Sequence, residues 1–147
     1  MEPGQSSLIY RRRYSAIHRS ALLQFAEQLS QSVAKGRPFE CLITDDDELQ
    51  ALNRKFRKKN KATDVLSFPD GSGYSLGSIA ISYDHAKVQA SEFGHRIEEE
   101  VRILMLHGVL HLLGFDHETD QGEMAKKEAA LRRKFSLPQG LIARAGA

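Results

Sequence analysis

Eleven residues constrain this chain more than any other stretch: His107-Gly108-Val109-Leu110-His111-Leu112-Leu113-Gly114-Phe115-Asp116-His117. His107 and His111 are four apart, so in a helix both imidazoles lie on one face, one turn apart. Gly114 follows the apolar run, where a left-handed residue ends a helix and turns the chain. The turn can bring His117 back toward the helix, giving three nitrogen ligands and one open position. That set is the arrangement of a catalytic zinc, since structural zinc sites close with four protein ligands.

Three of the chain's six His fall in these eleven residues, two at helical spacing and one beyond the glycine turn. The spacing His111-x-x-Gly114-x-x-His117 repeats the second half of the metzincin motif. Zinc peptidases of that kind place Glu directly after the first His as general base; here Gly108 stands there, which disfavours a peptidase. A helical Gly costs about 1 kcal/mol relative to Ala, so Gly108 asks for a reason. Either it lets substrate or backbone approach the metal, or it lets the helix pack closely on a neighbour.

The helix carrying the motif is expected over Arg96–Leu113. Its apolar residues, from Ile97 through Leu112, surround much of the axis, the pattern of a buried helix. Upstream, Ser7–Arg11 suggests a first strand, and Tyr14–Lys35 an amphipathic helix closed by Gly36 and Pro38. Phe39–Thr44 reads as a strand. Asp45-Asp46-Asp47-Glu48 reads as cap and first-turn charge for a helix over Asp46–Phe56, rather than as a cation site. Thr63–Pro69 and Leu76–Ser82 form a predicted hairpin around the turn Asp70-Gly71-Ser72-Gly73. A helix over Tyr83–Phe93 ends at Gly94. Asp120-x-x-Glu123 opens a last helix, about Gln121–Phe135, stopped by Pro138. The fold class is α+β, one domain over residues 1–147, with flexible ends at 1–6 and 139–147.

Between the second helix and the hairpin lies Arg54-Lys55-Phe56-Arg57-Lys58-Lys59-Asn60-Lys61, six basic residues among eight. A helix C-terminus favours cations, but the run continues into a loop delivered by a sheet, a place that suits phosphate contacts. The net charge is only +2, so affinity for nucleic acid must come from such a local patch. The single Cys, Cys41, excludes an internal disulfide and thiolate zinc chemistry, and suits a reducing cytoplasm. No stretch reaches the length of a membrane span, and Arg11-Arg12-Arg13 is not followed by an apolar signal core. The expected location is cytoplasmic.

His107–His117 (HGVLHLLGFDH), Thr63–Pro69 (TDVLSFP) and the preceding Phe56-Arg57 together resemble the YbeY endoribonuclease family, rRNA maturation factors of bacteria. The resemblance runs from about residue 39 to 135. It implies a mixed four-stranded sheet with about five helices, and one zinc ion on His107, His111 and His117. It also implies a metal-dependent, single-strand-specific endoribonuclease acting in small-subunit (16S) rRNA maturation and ribosome quality control. Arg57 takes the place of an arginine important for activity in the family. The chain departs from the family's usual Gly-Asp-Ile with Gly77-Ser78-Ile79, and from its usual Lys-Asp with Lys59-Asn60.

The chemistry expected is metal-assisted phosphodiester cleavage. Arg57 offers a forked contact to phosphate and charge for the transition state, while Lys58, Lys59 and Lys61 guide the RNA backbone. Asp116 and Glu100 are candidates for a general base, but Asp116 is better explained by local capping or a hydrogen bond behind a ligand, and Glu100 equally well by first-turn charge. The nucleophile is water or the RNA 2′-hydroxyl. Imidazoles also accept nickel, copper or iron. Two other readings stand beside this one: a zinc hydrolase of another substrate class, and a ribosome-associated binding factor with a mainly structural metal.

Overall fold

The computed structural model describes residues 5–139 and 141–145. The elements run β1 (Ser7–Tyr10), α1 (Arg19–Val33), β2 (Phe39–Thr44), α2 (Asp46–Arg57), β3 (Val65–Pro69), β4 (Gly77–Ser82), α3 (Tyr83–Phe93), α4 (Ile97–Leu112), α5 (Glu123–Lys134) and α6 (Leu141–Ala145). The sheet order is β1-β2-β4-β3, with β1–β2 and β2–β4 parallel and β3–β4 antiparallel. This is the mixed four-stranded α+β sheet that the family resemblance implies, with six helices among the described residues where about five were expected.

Alternation along the strands separates two apolar layers. Cys41, Ile43, Ile79 and Ile81 face the large core with α1 and α4. Leu42, Leu66, Phe68 and Ala80 face the other way, onto Leu49 and Leu52 of α2. The hairpin closes tightly at Gly77, whose φ is +125° and where a Cβ would stand 2.2 Å from the Phe68 carbonyl oxygen. Only glycine tolerates that approach.

The core surrounds α4, where Val101, Leu104, Met105, Val109 and Leu110 are all fully buried. Each large apolar side chain taken out of water there contributes roughly 1.5–3 kcal/mol. The helix that carries the two motif histidines is therefore also the most firmly packed element of the fold. Among the described residues, no helix is long and apolar enough to cross a membrane.

Capping accounts for the acidic run before α2. Asp45 Oδ1 accepts from the Glu48 amide at 3.0 Å, Asp46 holds Ser82 Oγ and His85 Nδ1, and Glu48 binds Arg11 and Thr44. Helix α1 starts at Arg19 rather than Tyr14, because His18 caps it, its Nδ1 accepting from the Ala21 amide at 3.2 Å. Tyr14 instead stacks on Tyr83, ring centroids 4.3 Å apart.

Residues 1–4, 140 and 146–147 lie outside the described residues. Ser6 is buried, its amide donating to Glu27 at 2.7 Å and its Oγ accepting from the Phe39 amide at 3.1 Å. Beyond Pro138, helix α6 is held by Arg144, whose guanidinium makes two 2.8 Å contacts to Glu100. A pairing 44 residues apart leaves no trace in local sequence pattern.

Candidate metal centre

Helix α4 ends as the glycine signal predicts. The Gly114 amide donates to the His111 carbonyl at 3.0 Å and the Phe115 amide to the Leu110 carbonyl at 3.1 Å, with Gly114 at φ +95°. This left-handed turn redirects the chain across the end of the helix. Asp116 then fixes the following loop: its Oδ1 accepts from the Glu118 amide at 3.1 Å and its carbonyl from the Asp120 amide at 3.0 Å. His117 is delivered back to the two helix rings in this way.

The three imidazoles converge. Their ring centroids are 4.8 Å apart for His107–His111, 5.8 Å for His107–His117 and 6.0 Å for His111–His117. One nitrogen from each lies within 4.8 Å of the others, so the group can bind a metal ion. His107 Nε2 and His111 Nε2 are 3.1 Å apart; two nitrogens on one tetrahedral zinc, with Zn–N of about 2.0–2.1 Å, stand about 3.4 Å apart. The residues present therefore fit a single ion. Burial, together with neighbouring His107 and His117, holds the His111 imidazole below its ordinary pKa. A neutral imidazole is the form that binds metal.

The ring of His107 is locked from behind. Its Nδ1 stands 2.8 Å from Oε2 of Glu128 on α5, and both residues are buried, 6% and 3% exposed. A carboxylate only accepts, so Nδ1 carries the proton and Nε2 presents its lone pair to the cluster. Such an outer carboxylate fixes both tautomer and orientation of a ligating His. Nothing in the sequence analysis singled out Glu128; a Glu one helix turn before an apolar Leu131 looks like any surface residue of a charged helix.

Arg57, the last residue of α2, lines the cleft with His107, His111, Asp64 and Ser67. Its Nη2 donates to the Ser67 carbonyl on β3 at 2.7 Å, which fixes the guanidinium at the strand edge. On the other side of Arg57, a second hollow is lined by Lys59, His111, Asp116 and His117. Lys58 adopts the left-handed C-cap of α2 (φ +57°), and Lys58, Lys59 and Lys61 are exposed. The basic run thus leaves the helix beside the three histidines, with Lys59 at the cleft wall. Asp64 lines the cleft while accepting from the Val65 amide at 2.8 Å and from Gln89 Nε2 at 3.2 Å.

The other expectations resolve differently. Glu100 is fully buried and paired with Arg144 and His95, so it is taken up by structure and does not serve the cluster as a base. Position 108 faces the sheet: a Cβ there would stand 3.0 and 3.1 Å from Ile79 carbons and 3.2 Å from Ser67 Oγ. Ser67 Oγ donates to the Gly108 carbonyl at 2.9 Å. Close helix–sheet packing explains the glycine. Ser78 lies in the strand register with Ala80, on the sheet face opposite α4, and Asn60 Oδ1 accepts from Gln50 at 3.1 Å. Ser78 thus faces away from the helix that carries His107 and His111, and Asn60 is engaged by α2.

Fold and site together define an α+β protein with a three-histidine, metal-competent centre at the end of its buried helix. The sequence profile described as endoribonuclease YbeY matches residues 4–136, and the chain belongs to the YbeY family. It is 57% identical over 142 residues to the endoribonuclease YbeY of Solibacter usitatus, covering 97% of this chain and 96% of that protein. It is 56% identical over 110 residues to the endoribonuclease YbeY of Nautilia profundicola, covering 74% and 79%. A Thermotoga maritima protein of known solution structure superposes with a TM-score of 0.61 at 26% identity, covering 85% of this chain and 84% of that one.

Proposed function

We propose that this chain is a metal-dependent endoribonuclease, specific for single strands, that acts in the cytoplasm on the 3′ end of 16S rRNA and in quality control of the small ribosomal subunit. The observation that carries the reading is the convergence of His107, His111 and His117 in a cleft walled by Arg57 and Lys59. Among the described residues no fourth His, Cys, Asp or Glu joins the group, which leaves the open position of a catalytic site rather than a closed structural one. A zinc ion held there would supply Lewis-acid polarisation of a phosphoryl oxygen and acidification of a bound water.

The chain's own residues do the rest. His107 and His111 sit on a buried helix and cannot drift, as a preorganised site requires. Arg57 spends one N–H on the Ser67 carbonyl, leaving the rest of its fork for a phosphate and for charge that develops in the transition state. Lys58, Lys59 and Lys61 attract the backbone of the strand without reading its bases. The cleft opens beside the edge strand β3, outside which no other strand is paired among the described residues. Position 108, where a peptidase carries its base, is pressed against Ile79, which disfavours peptide hydrolysis.

The test compares a single-stranded rRNA 3′-end precursor with the same segment in a duplex, using chelated protein and chelated protein given zinc again. Cutting of the single strand alone, lost on chelation and restored by zinc, is the expected result. A 2′,3′-cyclic phosphate product would mean attack by the 2′-hydroxyl, and a 3′-hydroxyl with a 5′-phosphate would mean attack by water. Cleavage that survives complete removal of metal overturns the reading.

A further inference from the structure

We propose that Glu128 is the positioning residue of the metal site and that the C-terminal helix α6 holds it in place, so that metal affinity depends on the last helix of the chain. The inference rests on the reading that His107, His111 and His117 hold the metal. Both oxygens of Glu128 are spoken for: Oε2 meets His107 Nδ1 at 2.8 Å, and Oε1 accepts from the Ile142 amide at 3.1 Å. Glu128 is 3% exposed, so water does not compete for either oxygen. With both ends of the carboxylate fixed, its plane and reach toward His107 are set by where Ile142 lies.

Where Ile142 lies is set in turn by Arg144. The guanidinium makes paired 2.8 Å contacts to both oxygens of Glu100 and sits 4.2 Å from the centroid of the Phe93 ring. Glu100 is fully buried and also takes His95 Nε2 at 2.6 Å. Forked Arg–carboxylate pairs fix orientation as well as distance, and removing one partner strands the other charge in the interior. Glu100 and His107 lie on the same helix, seven residues and about two turns apart. Helix α6 is therefore anchored to α4 at Glu100 and reaches, through Ile142 and Glu128, the ligand two turns further along. The dyad of outer carboxylate and ligating His is a general device that tunes affinity 10–100-fold; here the fold ties that device to a helix of five residues.

The experiment measures the zinc dissociation constant of the full chain by competition with a chromophoric chelator, and separately the stability of the metal-free protein. Glu128→Gln keeps an acceptor but loses the charge and should weaken zinc by about 10-fold, with Glu128→Ala near the far end of the 10–100-fold range. Ile142→Pro removes the one amide that meets Glu128 Oε1, in the first helical turn where proline is tolerated; Ile142→Ala keeps that amide. Proline should weaken zinc several-fold more than alanine does. Zinc constants in Glu128→Gln equal to wild type overturn the role of Glu128, even if the metal-free protein is destabilised. Equal constants in the two Ile142 variants overturn the role of α6. A wild-type chain that takes up no zinc overturns the metal reading itself, and this inference with it.

Discussion

Gly108→Ala sets two known effects against each other. Helix propensity alone favours Ala over Gly by about 1 kcal/mol. The added methyl would meet Ile79 at 3.0 and 3.1 Å and Ser67 Oγ at 3.2 Å, several tenths of an ångström inside ordinary carbon contact. Neither neighbour can retreat easily: Ile79 is 1% exposed in the main core, and Ser67, 6% exposed, is tied to the Gly108 carbonyl. Overpacking of this kind costs about 1–3 kcal/mol. The net expectation is destabilisation of about 1 kcal/mol, a fall in Tm of roughly 2–4 °C for a chain of this size. Urea unfolding of chelated protein reads it without the contribution of bound metal. Ile79→Val removes one of the two crowding carbons; alone it should cost about 0.5–1.5 kcal/mol, and in the Gly108→Ala background clearly less. Stabilisation by Gly108→Ala, or strict additivity of the two substitutions, would refute the packing account of the glycine.

Other outcomes follow from the same geometry. Arg57→Lys loses the fork, so cleavage should drop on the order of 10²-fold, with zinc stoichiometry unchanged by elemental analysis. Lys59→Gln should lower the slope of log affinity against log salt for single-stranded RNA by about 0.7, whatever the base sequence, as fluorescence anisotropy across a salt series would show. The side-chain hydrogen bond from Arg11 holds the Glu48 carboxyl below its ordinary value of 4.5. Its stabilisation is therefore present above about pH 4.5 and is lost as pH falls through the lowered folded value. Glu48→Gln should be less stable than wild type at neutral pH, the two converging in acid; a constant difference in unfolding free energy from pH 7 down to pH 3 would contradict this.

Much of the fold was legible because local chemistry punctuates it. Gly36 and Pro38 separate α1 from β2, Gly94 ends α3, and the alternation of Gly77–Ser82 marks a strand with two different faces. The histidines were legible for a related reason: their spacing is itself the geometry, two on one helix face and one past a left-handed glycine. Tertiary partners were not. Glu128 lies 21 residues from His107 on a helix whose sequence reads as solvated charge, and only packing of α5 against α4 makes it an inner residue. Arg144 stood in a stretch with no periodicity long enough to announce a helix, and its partner Glu100 passed for ordinary first-turn charge. Gly108 was ambiguous between close approach of a ligand and close packing, since a missing Cβ serves both; Ile79 and Ser67 decide it.

On the proposed function, RNA cleavage depends on one metal ion held by His107, His111 and His117. The most direct test of that dependence is a parallel measurement on wild type and His111→Ala, purified identically: bound zinc by elemental analysis, and cleavage of a single-stranded rRNA 3′-end precursor, with the fold checked by circular dichroism. Wild type should carry one equivalent of zinc and cut the RNA, and a folded His111→Ala should lose both. Equal cutting by the two proteins would contradict that dependence.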